Sequence, residues 1–173
     1  MSQTEDKLLK ERVRNMLARC EMSNVRVLEF SAKRFDEHSE PSVAHMTSET
    51  SYLVNDQAFR NRYVCAAELV DDAGKPVAEL KATLLVEYDI HEGFEPDPEA
   101  ANAIAGSTGY FAAYPYVREL FQSCTSRLQL DPMVLGMLLA DSINPRGVTL
   151  TRISDYGDGE AVEPVAAEEL APR

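Results

Sequence analysis

The chain has 173 residues, 45% hydrophobic, 8% aromatic and 27% charged, with 29 Asp and Glu against 17 Lys and Arg for a formal net charge of −12. That length suits one domain able to bury roughly 70% of its unfolded surface, so no disulfide or metal is needed to hold it. The excess of acid excludes nucleic-acid binding by bulk phosphate attraction and disfavours docking on anionic lipid, leaving basic partners or apolar contacts.

In chain order, the opening MSQTEDKLLKER is too polar for a secretory signal, and no apolar run approaches the ~20 residues of a membrane span. The expected location is cytoplasmic. Residues 4–21 read as an amphipathic helix, with Leu9, Val13, Met16, Leu17 and Cys20 on one stripe. Ser2 or Thr4 would cap it, and its polar face carries Lys7, Lys10, Arg12, Arg14 and Arg19. Packing of this helix on its own domain is the plain expectation; gripping another chain is the alternative.

Residues 25–35 are rich in strand formers, and 47–54 follow after a polar stretch containing Pro41. Residues 60–70 and 76–90 flank Asp71-Asp72-Ala73-Gly74-Lys75, which has the Asp and Gly of a hairpin turn. Along 76–90, Ala78, Leu80, Ala82, Leu84, Val86, Tyr88 and Ile90 alternate with Glu79, Lys81, Thr83, Glu87 and Asp89. This period of two predicts an antiparallel sheet with one buried and one wet face.

Beyond Phe94-Glu95-Pro96-Asp97-Pro98 the pattern turns helical. A first helix is expected over 98–113, weakened by Gly106 and Gly109. A second is expected from Pro115, with Val117, Leu120, Phe121, Cys124 and Leu128 on its stripe and Asp131-Pro132 as its stop. A short strand at 147–153 follows Asn144-Pro145. The tail from Ser154 holds six acids against Arg173 and is expected to be disordered. The fold class is therefore α+β: an N-terminal helical segment (1–22), a main domain (23–153) and an acidic tail (154–173).

Cys20, Cys65 and Cys124 are widely spaced on periodic segments and read as buried free thiols. No phosphate loop, GxSxG, HExxH or paired CxxC is present. His38 and His45 lie near Glu37, Glu40 and Glu49, yet their spacing matches no metal-ligand set. Neither a catalytic group nor a metal or cofactor is predicted, and the chain does not read as an enzyme. What stands out is Tyr110, Phe111, Tyr114 and Tyr116, four aromatics within seven residues. One helical face cannot bury them all, so some should line a groove or an interface.

These residues also carry a resemblance. Tyr114-Pro115-Tyr116-Val117-Arg118-Glu119 resembles the FPYARE signature of the SecB family of export chaperones, and Ser126-Arg127 follow at that family's distance. Leu128-Gln129-Leu130-Asp131-Pro132-Met133 is similar to its LNLAPV stretch, without the short insertion that usually precedes it. Residues 4–21 have no counterpart in SecB itself, and an added N-terminal helix is more like the SecB-like chaperones of toxin–antitoxin systems. The resemblance implies a four-stranded antiparallel sheet with two C-terminal helices, assembled as a homotetramer that is a dimer of dimers. It implies an ATP-independent holdase for unfolded polypeptides, serving precursors for export or, alternatively, an antitoxin. Carried over, its client groove comprises Tyr52, Leu53, Tyr110, Phe111, Tyr114, Leu128, Leu130 and Met133. Its contact with the SecA motor would fall on Val77 and Glu79. The rival from another class is an oligomeric scaffold using the same aromatics as subunit contacts.

Overall fold

The computed structural model describes residues 3–55, 58–135 and 148–152. Helix α1 (Gln3–Leu17) leads into strands β1 (Cys20–Arg34), β2 (Val43–Val54), β3 (Phe59–Val70) and β4 (Pro76–Ile90). Helices α2 (Pro98–Ala105) and α3 (Thr108–Arg127) follow, then a short strand β5 (Val148–Arg152). The sheet runs β1-β4-β3-β2-β5. Its first four strands pair antiparallel, and β5 adds to β2 in parallel. The expected α+β architecture is present, with helices on one face of the sheet and a single core between them.

Strand β4 has the bounds its alternation predicts. Ala78, Leu80, Ala82, Leu84, Val86 and Tyr88 are buried towards the helices, beside Phe59, Tyr63, Cys65, Ala67 and Leu69 of β3. The outer face is less wet than expected, because Thr83 and Leu85 are also buried. There Glu87 bridges two strands, with Arg26 of β1 at 2.8 Å and Arg60 of β3 at 3.2 Å. The β3–β4 turn is built as predicted: Asp71 Oδ1 accepts the amides of Ala73 and Lys75, both at 2.9 Å, and Gly74 takes φ 76°.

Besides the start of β2 at Val43 in place of residue 47, three boundaries differ from the sequence reading. The first helix stops at Leu17, not at residue 21, and Cys20 opens β1 opposite Ile90. A turn at Ala18-Arg19 makes the switch, and the Arg19 carbonyl accepts the His91 amide at 2.9 Å. Strand β1 begins five residues before the predicted 25, because register shifts between Met22 and Asn24 and between Val27 and Glu29 break its period of two. The break between α2 and α3 falls at Gly106-Ser107, so Pro115 lies inside α3 and does not start it. Pro115 is exposed and withholds the amide donor that another residue would have offered the preceding turn. The strand expected at 147–153 is β5, while the tail at 154–173 lies outside the described residues. Among the described residues no helix is long and apolar enough to cross a membrane.

The connection after β1 is tied to the hairpin by Asp36, whose carboxylate takes Lys75 Nζ at 2.7 Å and the His38 amide at 2.9 Å. These donors hold its carboxyl well below the ordinary carboxylate range. A depressed folded-state value stabilises fully above the unfolded value of ~4 and is lost as pH falls through the folded one. Proton-detected titration should therefore place the Asp36 inflection below those of its exposed neighbours. Asp36→Asn should flatten the decline of stability below pH ~4; an ordinary Asp36 inflection would refute the contact.

Candidate functional site

The site begins with how α2 is fixed. Asp97 caps it, accepting the amides of Glu99 and Ala100 at 2.9 Å, and Pro98 occupies the first turn. Arg12 of α1 reaches the same end, binding Asp97 at 3.1 Å and also Glu99. With Met16 wholly buried, these contacts dock the basic helix on its own domain. In turn α2 covers the Tyr52 end of β2.

Helix α3 is held close to the sheet by a glycine. A Cβ on Gly109 would overlap the Tyr63 hydroxyl and the Asn61 amide, and would stand 3.2 Å from the Ile104 carbonyl. Tyr63 Oη donates to the Ala105 carbonyl at 2.9 Å, tying β3 to the end of α2. Burial pushes the Tyr63 phenol far up and that of Tyr88 up to about 12, with the Asn61 amide close to both.

From that anchor α3 runs mainly over β4, β1 and β3, so among the described residues the inner side of β2 beyond α2 is the least covered part of the sheet. The inward positions of β2 pass from buried Val54, Tyr52 and Thr50 through half-buried Ser48 to exposed Met46 and Ala44. Among the described residues, these positions of β2 and the first half of α3 mark out a candidate trough, with β2 as floor and α3 as wall. From the core outwards, Tyr63 of β3 is followed by Tyr110 and Tyr114 on that wall. Tyr63 meets Tyr110 edge-on with ring centroids 5.7 Å apart, and Tyr110 meets Tyr114 at 6.1 Å. The Tyr110 phenol is raised by burial and lies against Ser48 and Cys65, whose own hydroxyl and thiol are 3.6 Å apart. Burial also raises Tyr114, offset in part by Arg118. All three cysteines are buried and unpaired, as expected, with thiols pushed up by burial.

The far end of α3 closes differently. The Gln129 amide donates to Ser126 and that of Leu130 to Thr125, with Gln129 in the left-handed region at φ 57°. Arg34 at the end of β1 clamps this turn, donating to the carbonyls of Leu128 and Gln129 at 2.9 Å each. The same guanidinium holds the carbonyls of Asp36, Glu37 and Ser39. Met133 is tethered by its amide to Thr125 Oγ1 at 2.9 Å.

The predicted residues thus divide. Tyr110, Phe111 and Tyr114 are half-buried on the first half of α3. Leu128 and Met133 lie at its other end, ~27 Å along the helix at 1.5 Å per residue. Tyr52, Leu53 and Leu130 are buried within the chain. Leu53 points to the sheet face opposite Tyr52, as strand alternation requires. Glu79 is exposed on the outer face beside Lys33 and Glu68, but Val77 is wholly buried and offers a partner no side-chain surface.

The sequence reading missed Met46 on the trough floor because it started β2 at residue 47, and it passed over Ser48, a polar residue inside that span. It also missed Arg34, whose role is contact with backbone carbonyls and leaves no side-chain pattern. A second apolar surface escaped it too. Met22, Val27 and Phe30, on the helix side of β1, are 41–49% exposed. Beyond them the outer edge of β1 has no strand partner among the described residues.

Comparison with known proteins bears on this geometry. No family model matches the chain. It is 43% identical over 63 residues to the SecB-like chaperone Rv1957 of Mycobacterium tuberculosis H37Rv, and equally to the SecB-like chaperone MT2006 of strain CDC 1551. Those matches cover 35% of this chain and only 34% of the relatives' length. The fold likeness is broader. The structure of Mycobacterium tuberculosis Rv1957, in complex with a ChAD peptide from the Rv1956 HigA1 antitoxin, matches with TM-score 0.66 and 29% identity. That match spans 74% of this chain and 97% of the other. In local sequence and in the arrangement of sheet and helices alike, this chain is similar to the SecB-like chaperone Rv1957.

Proposed function

We propose that the protein is an ATP-independent holdase, a chaperone whose α3–β2 trough takes up apolar segments of unfolded polypeptide, with an antitoxin as its dedicated client. The observation that carries this is the likeness to a SecB-like chaperone in complex with an antitoxin peptide. The trough supports it physically, because the half-exposed rings of Tyr110 and Tyr114 offer large contact area at low entropic cost to an extended chain of many sequences. A protein that binds the unfolded state selectively lowers its free concentration and so its aggregation. The acidic surface favours basic clients and keeps such a particle dispersed.

Self-association belongs to the same reading. Met22, Val27 and Phe30 beside the open edge of β1 suit contact with a second copy, towards the tetramer that the resemblance implies. Delivery of precursors to a SecA-type motor is a narrower reading, supported only by exposed Glu79.

Light scattering together with an aggregation assay on denatured lysozyme tests the proposal. A tetramer that suppresses aggregation at stoichiometric amounts without ATP is expected. A monomer that leaves aggregation unchanged refutes it, and a tetramer without suppression supports the scaffold instead.

A further inference from the structure

Strand β5 is the one described strand that joins the sheet in parallel, and it does so beside the trough. Its register is Ser48↔Val148, Glu49↔Thr149, Thr50↔Leu150, Ser51↔Thr151 and Tyr52↔Arg152. Ser48 and Thr50 are the same residues that floor the trough next to Tyr110. The other edge of β2 is fully engaged with β3, so β5 takes the only remaining row of backbone donors and acceptors along Ser48–Tyr52. Its sequence, Val-Thr-Leu-Thr-Arg, holds three β-branched residues, has apolar Val148 and Leu150 at alternate positions and carries one positive charge.

From this placement we infer that the β2 edge is a strand-addition site and that β5 is its built-in occupant, which an extended client segment must displace. The inference rests on the client reading of the trough and adds to it a mode of recognition. Side chains of the client enter the trough, and its backbone pairs with β2. The preferred client segment is extended, apolar or β-branched at alternate positions, and basic, as β5 itself is.

The energetic argument is one of competition. Residues 136–147 tether β5 to the domain, and a tethered strand presents itself at an effective concentration on the order of mM. A free client must compete with that, so its apparent affinity is lowered by the fraction of edge already occupied. Five rungs on a sheet edge are few enough to exchange, whereas the twelve-rung β2–β3 ladder is not. Displacement leaves residues 43–54 as an open edge alongside Met46, and the trough becomes continuous with it.

The test keeps the full chain. Thr149→Pro/Leu150→Pro removes an amide donor at each of two successive positions, so one of them must face β2, and it leaves the charge of the tail unchanged. The probes are reduced, alkylated lysozyme and a labelled peptide spanning residues 146–154. The variant should bind both about five-fold or more tightly than the native chain. A second measurement needs no variant: hydrogen exchange on the native chain, with and without bound lysozyme. Amides 149–152 should lose protection on binding while those of Ser48–Tyr52 keep it. Equal affinity in the two proteins, or unchanged protection of 149–152 on binding, overturns the inference and leaves the client reading intact. Binding of lysozyme by neither protein overturns the client reading and this inference with it.

Discussion

Truncating Tyr114 to alanine is expected to weaken binding of unfolded, alkylated lysozyme about ten-fold, with the melting temperature nearly unchanged. Tyr114 is the outermost ring of the Tyr63–Tyr110–Tyr114 series and remains half-exposed on the trough wall. Docking of an apolar segment would remove that ring from water, and a well-seated aromatic contributes ~1.5–3 kcal/mol to such a contact. Each 1.4 kcal/mol is about a factor of ten in affinity, so the lower bound already sets the expected loss. Tyr114→Phe keeps the ring and should bind almost as the native chain does. Fluorescence anisotropy with both variants separates area from hydroxyl chemistry. Undiminished binding by Tyr114→Ala would move the client elsewhere, the β1 surface around Val27 and Phe30 being next.

The second large effect concerns the fold that positions the wall. Gly109→Ala is expected to destabilise the chain by about 2–3 kcal/mol, at the upper end of overpacking costs. Alanine normally favours a helix over glycine, so propensity alone predicts the opposite sign. Sterics win here because the new methyl would meet the Tyr63 hydroxyl and the Asn61 amide, both wholly buried and unable to retreat into solvent. To accommodate it α3 must lift from the sheet, which strains the Tyr63 bond to Ala105 and displaces Tyr110. Urea denaturation checks the magnitude. The double variant Gly109→Ala/Tyr63→Phe should recover part of the loss, since it deletes the atom that the methyl strikes. A stabilised Gly109→Ala would mean that helix and sheet lie further apart than the Gly109 approach requires.

The two cases show which parts of the site are legible in a sequence. The tyrosines announce themselves, because four aromatics in seven residues overfill a helical face wherever that helix lies. Gly109 does not. Read alone it is a helix weakener, and it stood as one inside the helix expected over 98–113. Its true role depends on residues some 46 to 48 positions earlier in the chain. Pro115 misleads for the same reason: local rules make it a helix start, while α3 already has its footing on the sheet through Gly109 and Ala113.

The edges of the sheet divide likewise. Strand β4 is an interior strand, paired on both sides, and its inward residues keep a period of two from Ala78 to Tyr88. Strand β1 lies at an edge and carries two register shifts, so its inward residues switch from even to odd and back. That switching hid its first five residues and the exposed Met22, Val27 and Phe30.

By itself, the sequence determined the α+β class, the core strand β4, the Asp-Gly hairpin, the aromatic wall and the family it resembles. All of these rest on periodicity, turn chemistry or a contiguous motif, which are properties of neighbouring residues. Tertiary structure decided which of the predicted groove residues are core and which are surface, the close approach at Gly109, the Arg34 clamp and the seating of β5 on β2. These depend on contacts between residues far apart in the chain, where a side chain's role is set by what faces it. No local pattern encodes that partner.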